Sequence, residues 1–331
     1  MDIFPTQYST LSSKALNDFI SNRYELSDTQ CRLLIRNVSD TYVVESLTNK
    51  YIFKIYRDAH RKLEEIKGEV ELLTILTNSG AKVSYPLKDL NGNSIQAFNA
   101  AEGTRYGVLF TYAKGGVVNK MSDQQLAVLG REMAAVHNVT AEIELTHKRH
   151  TFDIHSTIID PLERIKSVFD ELPLEYAWLN QTAKTVIAAM GTIDYRHFSH
   201  GYCHYDFLPK NFHFDEGNNL TFFDFDFAGK GYLVNDITSL YIHYFLDATL
   251  GRLPREEADK AFHIFVEHYR STRPLHDEEL KAMPYFGFAF WVFYLGFQFD
   301  NFDDWSSIFF NKKFLIDRVA LIKKWMDYFE K

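Results

Sequence analysis

The stretch HYDFLPKN, residues 204 to 211, and the block DFDF that begins thirteen positions after Asn211 gather oxygen-bearing side chains in apolar surroundings. Asp206 and Asn211 stand five apart among Phe, Leu and Pro, and Asp224 opens the second block. Between them, FHF (212 to 214) and LTFF (220 to 223) are β-favouring runs separated by the turn-forming DEGNN. If they pair antiparallel with Phe212 near Phe223, Asn211 and Asp224 meet at the open end of a hairpin, on the order of 5 Å apart between Cα atoms. An amide oxygen beside a carboxylate offers hard donors suited to Mg2+, which keeps waters and takes phosphate oxygens. Asp206, on the loop leading into the hairpin, could then orient an acceptor hydroxyl and take its proton as a phosphoryl group is transferred. His204 reads as a brace for that loop.

These residues need a frame. A helix around residues 13 to 21 precedes three β-rich runs, RLLIRN, TYVVESL and YIFKIYR, read as antiparallel strands. From His60 to Asn78, Leu63, Ile66, Val70, Leu73 and Leu76 recur at helical spacing and stop before Gly80. Asn91-Gly92-Asn93 signals a turn, and YGVLFTY a further strand, giving about five strands and one long helix. From Ser122 the period becomes helical, with Gln125 in capping-box spacing and Leu126, Leu129, Met133 and Val136 on one face. Helices are expected over roughly 122 to 139, 159 to 171, 175 to 191, 235 to 249, 255 to 271, 277 to 298 and 311 to 330, with 203 to 227 as the exception. The fold class is α+β: a small antiparallel β-sheet lobe over 1–113 and a larger, mostly helical lobe over 114–331.

The totals narrow the function. With 36 Lys and Arg against 44 Asp and Glu, the net charge of −8 gives no electrostatic footprint for nucleic acid. Cys31 and Cys203 form no CxxC pair, and the first residues lack a basic segment followed by a long apolar one. A cytoplasmic protein with reduced thiols is expected. The run from Pro284 to Phe299 is shorter than the ~20 residues that a bilayer core needs, and Asp300, Asp303 and Asp304 close it. A buried aromatic helix, not a membrane span, is expected there.

HYDFLPKN, FFDFD and the later Asn235-Asp236-Ile237 resemble the aminoglycoside phosphotransferase family, which includes choline kinases and type II homoserine kinases and is similar to protein kinases in fold. The resemblance implies a bilobal protein-kinase-like fold and ATP-dependent transfer of the γ-phosphoryl group to a hydroxyl, with Mg2+ as cofactor. It implies that Asp206 is the catalytic base and that Asn211 and Asp224 are metal ligands. Lys54 in YIFKIYR matches the strand lysine that contacts the α and β phosphates, and Glu69 in KGEVELL the glutamate that positions it, with Glu64, Glu65 and Glu71 as rivals. Residues 1–113 become the nucleotide-binding lobe, and 114–331 the lobe carrying the catalytic loop and the acceptor site.

The chain also departs from the pattern. Tyr205 stands where the family usually has Gly, Leu208 replaces a common Lys or His and leaves open what neutralises the transferring phosphate, with Lys210 as one candidate, and Asp226 replaces the Gly of a kinase DFG. Asp226 serves either a second metal or the turn backbone. Asp236 reads as a helix N-cap and, by resemblance, as a brace for the catalytic loop. No GxGxxG is present, and Ser39 to Thr41 in RNVSDTYV supply a small polar turn to cover phosphate. The acceptor is a small-molecule hydroxyl: an amino alcohol, a hydroxy amino acid or an aminoglycoside-like compound. Aromatic faces between Tyr285 and Phe299, with Asp300, Asp303 or Asp304 as counter-charge, could hold a cationic amine. The alternatives are a protein kinase of the bacterial stress-kinase type, a non-catalytic nucleotide-binding pseudokinase, and a zinc site built from His197, His200, Cys203, His204 and His213. Only twelve positions separate Asp224 from Asp236, which leaves little room for a peptide-docking activation loop.

Overall fold

The structure, a computed structural model, describes residues 5–6, 8–302 and 310–329. The chain divides into two compact units, Met1–Lys114 with Leu145–Lys148, and Gly115–Glu144 with Arg149–Lys331. The short return of 145–148 to the first unit follows from Glu71, whose carboxylate accepts from the Thr146 and His147 amides at 2.9 and 3.0 Å.

In the first unit, α1 (Ser13–Tyr24) starts where the Ser12 hydroxyl accepts from the Ala15 amide. The elements β1 (Gln30–Arg36), β2 (Ser39–Glu45), β3 (Lys50–Tyr56), α2 (Leu63–Asn78), β4 (Ile95–Ala100) and β5 (Gly103–Thr111) follow. The strands form one antiparallel sheet in the order β1-β2-β3-β5-β4. Leu16 and Ile20 of α1 pack on Tyr42, Val44, Phe53, Ile55 and Leu109, the alternating apolar face of that sheet. A buried ion pair unannounced by the sequence joins Asp40 of β2 to Arg105 of β5 at 3.1 Å. Arg105 also donates to the Ser9 and Tyr56 carbonyls, and the Tyr8 hydroxyl donates to Asp40. Charges this deep survive only with such added partners.

In the second unit, α3 (Asp123–Thr140) begins at the expected box, Ser122 and Gln125 capping each other's backbone. The order continues β6 (His150–Thr151), α4 (Asp160–Ile165), α5 (Pro173–Met190), β7 (His200–Cys203), β8 (Phe212–Phe214), β9 (Leu220–Phe222), β10 (Gly229–Tyr232), α6 (Val234–Thr249), α7 (Arg255–Arg270), α8 (Asp277–Phe302) and α9 (Lys312–Tyr328). α3 packs on α7, while α8 is held between α4 and α6. The α+β expectation therefore holds, with one addition. A small sheet in the order β6-β10-β7 precedes and follows the 204–211 loop in sequence, and segments of two to four residues are too short to show a period in the sequence.

The aromatic run lies in α8, where Phe288, Val292 and Leu295 are fully buried. Among the described residues, no helix is long and apolar enough to cross a membrane. α8 meets α9 so closely that a Cβ on Gly287 would lie 2.0 Å from the Trp325 ring, and Trp325 donates its indole N–H to the Pro284 carbonyl at 2.9 Å.

Candidate active site

The small sheet delivers the loop. Cys203 ends β7, paired in register with Gly229 of β10, so His204 emerges at a fixed point. Asp236 then shapes the backbone: its carboxylate accepts from the His204 amide at 2.8 Å, the Tyr205 amide at 2.6 Å and the His137 ring at 3.0 Å. It is the third residue of α6, not its N-cap, and the groups it caps belong to the loop. Tyr205 takes a left-handed conformation, φ 68°, at the position where the resemblance expects Gly. A side chain there is sterically costly. The cost is offset by packing: the fully buried Tyr205 ring stacks on Phe152 and meets Phe290 and Phe293.

His204 is a brace, as its position suggested. Its Nε2 lies 2.9 Å from the Phe223 carbonyl, which can only accept, so Nδ1 is left to accept from the Asp206 amide at 3.3 Å. The zinc spacing does not become a cluster. Cys203 donates to the Tyr232 carbonyl, and among the described residues no group of three or more His, Cys, Asp or Glu gathers to hold a metal.

Asp206 is buried, and its two oxygens are in different states. Oδ2 accepts from Asn211 Nδ2 at 2.7 Å and faces Lys210 Nζ at 2.8 Å, whereas Oδ1 is buried with no hydrogen-bond partner. Partial desolvation works against the Lys210 charge, but attraction to Asp206 and the hydrogen bond that the ammonium donates to it, with the field of Asp224, outweigh it and hold the ammonium above its usual pKa. The exposed Asp224 is therefore electrostatically coupled to the same lysine.

The hairpin is one residue out of the expected register. Phe212 opposes Phe222, not Phe223, and the Phe223 amide donates to the Asn211 carbonyl at 3.0 Å. Asp224 comes one step later, in a left-handed conformation with φ 62° that turns the chain into a short 3-10 segment. Arg149, which sequence reasoning missed, fixes that segment by donating to the carbonyls of Phe225, Asp226 and Ala228. Asp226 is buried at this turn.

In the first unit, Lys54 on β3 is buried, its ammonium 5.1 Å from the Tyr56 ring centroid. Glu69 is the buried glutamate of α2. Its rivals are spent elsewhere: Glu64 on His147, Glu65 on the Lys62 amide, Glu71 on Thr146 and His147. Ser39 and Thr41 are not in a turn. Both belong to the β2 ladder, Thr41 paired with Lys54, and the turn itself is Asn37 and Val38. Ladder partners share a face of the sheet, which puts Thr41 beside the lysine.

A cavity of about 400 Å3 in the second unit is lined by Asp206, Leu208 and Lys210, by Phe290, Trp291, Tyr294 and Gln298 of α8, and by Phe314, Asp317 and Arg318 of α9. Its size suits a small molecule. Burial, and secondly the Asp206 charge, push the Tyr294 phenol far above its usual pKa, so its hydroxyl stays protonated facing that carboxylate. Asp300 is not in the cavity wall: it pairs with Arg164 at 3.3 Å. Asp303 and Asp304 lie outside the described residues. Arg318 was missed too, although Phe314, Arg318 and Leu321 recur at helical spacing and place an arginine on a partly apolar face.

A β-lobe with a buried strand lysine and helix glutamate, and a helical unit with an Asp-Asn-Asp constellation, define a kinase-like phosphotransferase. Residues 31–275 match the model of the APH phosphotransferase enzyme family, and the chain belongs to that family. Membership makes it a phosphotransferase of the kinase type, acting on a small-molecule hydroxyl. It is similar to an uncharacterised protein of Deinococcus radiodurans, 29% identical over 88% of this chain and 84% of that protein. It is also similar to amicoumacin kinase of Bacillus subtilis, 28% identical over 66% of this chain and 64% of that protein. A solved amicoumacin kinase, hAmiN in complex with AMP-PNP, Ca2+ and Ami, shares the fold: TM-score 0.77 at 18% identity, over 96% of this chain and 94% of that one.

The residues fit a metal. Asn211 gives both its Nδ2 bonds to Asp206, which turns Oδ1 away as an oxygen donor. Asp224 offers a second hard oxygen donor, of the kind that suits an ion completed by water and phosphate oxygens.

Proposed function

We propose that Asp206 is the catalytic base of this kinase and that the cavity it lines receives the acceptor. The observation that carries the reading is the division of labour within its carboxylate, with Oδ2 fixed by Asn211 and Lys210 and Oδ1 buried and unpartnered. A buried acceptor atom without a partner is costly unless a ligand supplies the donor. A substrate hydroxyl does so: it donates to Oδ1, its oxygen attacks the γ-phosphorus of ATP, the bond to ADP breaks and the proton passes to Asp206.

The remaining roles follow the family pattern. Asn211 Oδ1 and Asp224 would hold Mg2+, which when bound neutralises charge on the phosphates. Lys54 would contact the α and β phosphates, Glu69 would position it, and Ser39 and Thr41 would lie near the phosphate-covering turn. Residues 1–113 would serve the nucleotide, and 114–331 the catalytic loop and the acceptor. Lys210 compensates for Leu208 by placing a cation at Asp206. The amicoumacin kinases support a hydroxylated small molecule as acceptor. The free, buried state of Cys31 and Cys203 supports a cytoplasmic setting.

The test is ADP release from MgATP across a panel of amino alcohols, hydroxy acids, sugars and aminoglycosides, with Asp206→Asn in parallel. The variant is expected to lose kcat by a factor on the order of a thousand while MgATP binding persists. Undiminished turnover would overturn the assignment.

A further inference from the structure

The cavity beside Asp206 has a second polar pole that the chemistry above leaves unused. Arg318 projects from α9 into its wall, with the guanidinium carbon 5.2 Å from the Trp291 ring centroid and 5.1 Å from that of Phe314. Among the described residues this guanidinium has neither a carboxylate within ion-pair distance nor a hydrogen-bond acceptor. Its neighbour Asp317 is engaged by Lys313 at 2.6 Å. Two polar atoms of the same wall are buried and unpartnered, Trp291 Nε1 and Gln298 Oε1.

Folded proteins seldom leave a partly buried charge and its polar neighbours without partners. Stacking on two aromatic rings accounts for where the guanidinium plane lies, and leaves its N–H donors unspent. Arg318 and the Trp291 N–H can only donate, so what completes them is an acceptor-rich anion. Lys210 is already committed to Asp206, which leaves one cation in the wall to balance a ligand charge. A carboxylate, with one charge and two oxygens matched to the guanidinium fork, satisfies that count. A dianionic phosphate would bring surplus negative charge toward Asp206. Partial desolvation lowers the Arg318 pKa, a cost that a bound anion would offset.

We propose that the acceptor alcohol carries a carboxylate bound by Arg318 while its hydroxyl lies at Asp206, so that the substrate is a small hydroxy acid, with or without an amino group. This rests on the acceptor reading of the cavity. It differs from the expectation of a cationic amine held by Asp300, Asp303 or Asp304, of which Asp300 pairs with Arg164 and the other two lie outside the described residues.

Calorimetric binding to the full chain tests it with matched pairs that differ in the carboxylate alone: serine and ethanolamine, homoserine and 3-aminopropan-1-ol, 4-hydroxybutyrate and propan-1-ol. At least one acid should bind about 10- to 100-fold more tightly than its partner, the worth of a charge-assisted hydrogen bond. Arg318→Gln should erase that difference, Arg318→Lys should restore part of it, and both should bind MgATP like the parent. The pairwise comparison on the unaltered protein needs no variant to fold. Equal or better binding of the decarboxylated partners, selectivity that survives in Arg318→Gln, or no binding by any acid would each overturn the proposal. ADP release is read separately, so selective binding without turnover would uphold the carboxylate site and count against the acceptor role of Asp206.

Discussion

Asp236, on the first turn of α6, and Asp206, on the loop it braces, are both buried and both acidic, yet their hydrogen bonding is opposite. Asp236 receives three hydrogen bonds, from a histidine ring and two backbone amides. Asp206 has one oxygen held and the other unpartnered. Burial alone therefore does not separate a structural carboxylate from one open to a ligand; partner saturation does. A saturated group stabilises what surrounds it, whereas an unsaturated one is kept for a molecule that comes and goes.

That contrast can be broken by mutation. The largest effect should come from Asp206→Asn, with kcat reduced on the order of a thousandfold and a thermal midpoint close to the parent's, because the amide keeps the shape of the held side. A midpoint that collapses with the activity would make Asp206 another brace. Asp236→Ala should do the reverse and lower unfolding stability by about 3–5 kcal/mol, since it strands buried donors. Chemical denaturation measures this, and a loss below ~1 kcal/mol would show that the clamp is dispensable. Tyr205→Gly removes left-handed strain and a buried aromatic stack together, and the lost packing should win by about 2–4 kcal/mol. A stabilised variant would mean that strain dominates.

Two weaker perturbations sharpen the comparison. Burial, assisted by the Asp236 charge, raises the Cys203 thiol well above its ordinary range. The stability this gives is fully present below the unfolded thiol pKa of about 8.5 and lost as pH rises through the folded value. Cys203 should therefore resist alkylation at pH 9 in the folded chain, and rapid labelling would contradict its burial. The smallest effect belongs to Asp300→Asn. Its half-exposed pair with Arg164 should be worth under about 1 kcal/mol, and the acceptor KM should not move. A several-fold rise in that KM would return Asp300 to the substrate site.

The parts of the site legible in the sequence were those encoded locally. HYDFLPKN placed Asp206 and Asn211 because a five-residue spacing on one loop survives folding, and α3 was legible from its capping box. The hairpin slipped by one because apolar Phe223 looks like a strand residue, although it follows the last ladder pair. Ser39 and Thr41 resembled a turn because small polar residues favour turns, but the ladder extends to them from the neighbouring strand. Arg149, Arg318 and the Asp40–Arg105 pair left little trace, since each acts across long sequence separations on groups that composition cannot identify.

The Asp236 clamp has a consequence for how the second unit acquires activity. It draws together chain positions 137, 204–205 and 236, so the loop cannot take its shape from neighbours in sequence alone. α3, the end of β7 and the first turn of α6 must all have docked, and closing such distant segments is the slow, entropically costly part of assembly. The His204 and Tyr205 amides, sealed against a buried carboxylate, should then exchange with solvent only through openings that dismantle much of this unit. A chain partly folded there would not be partly active: the reactive geometry would arrive as one event, among the last, and be lost the same way.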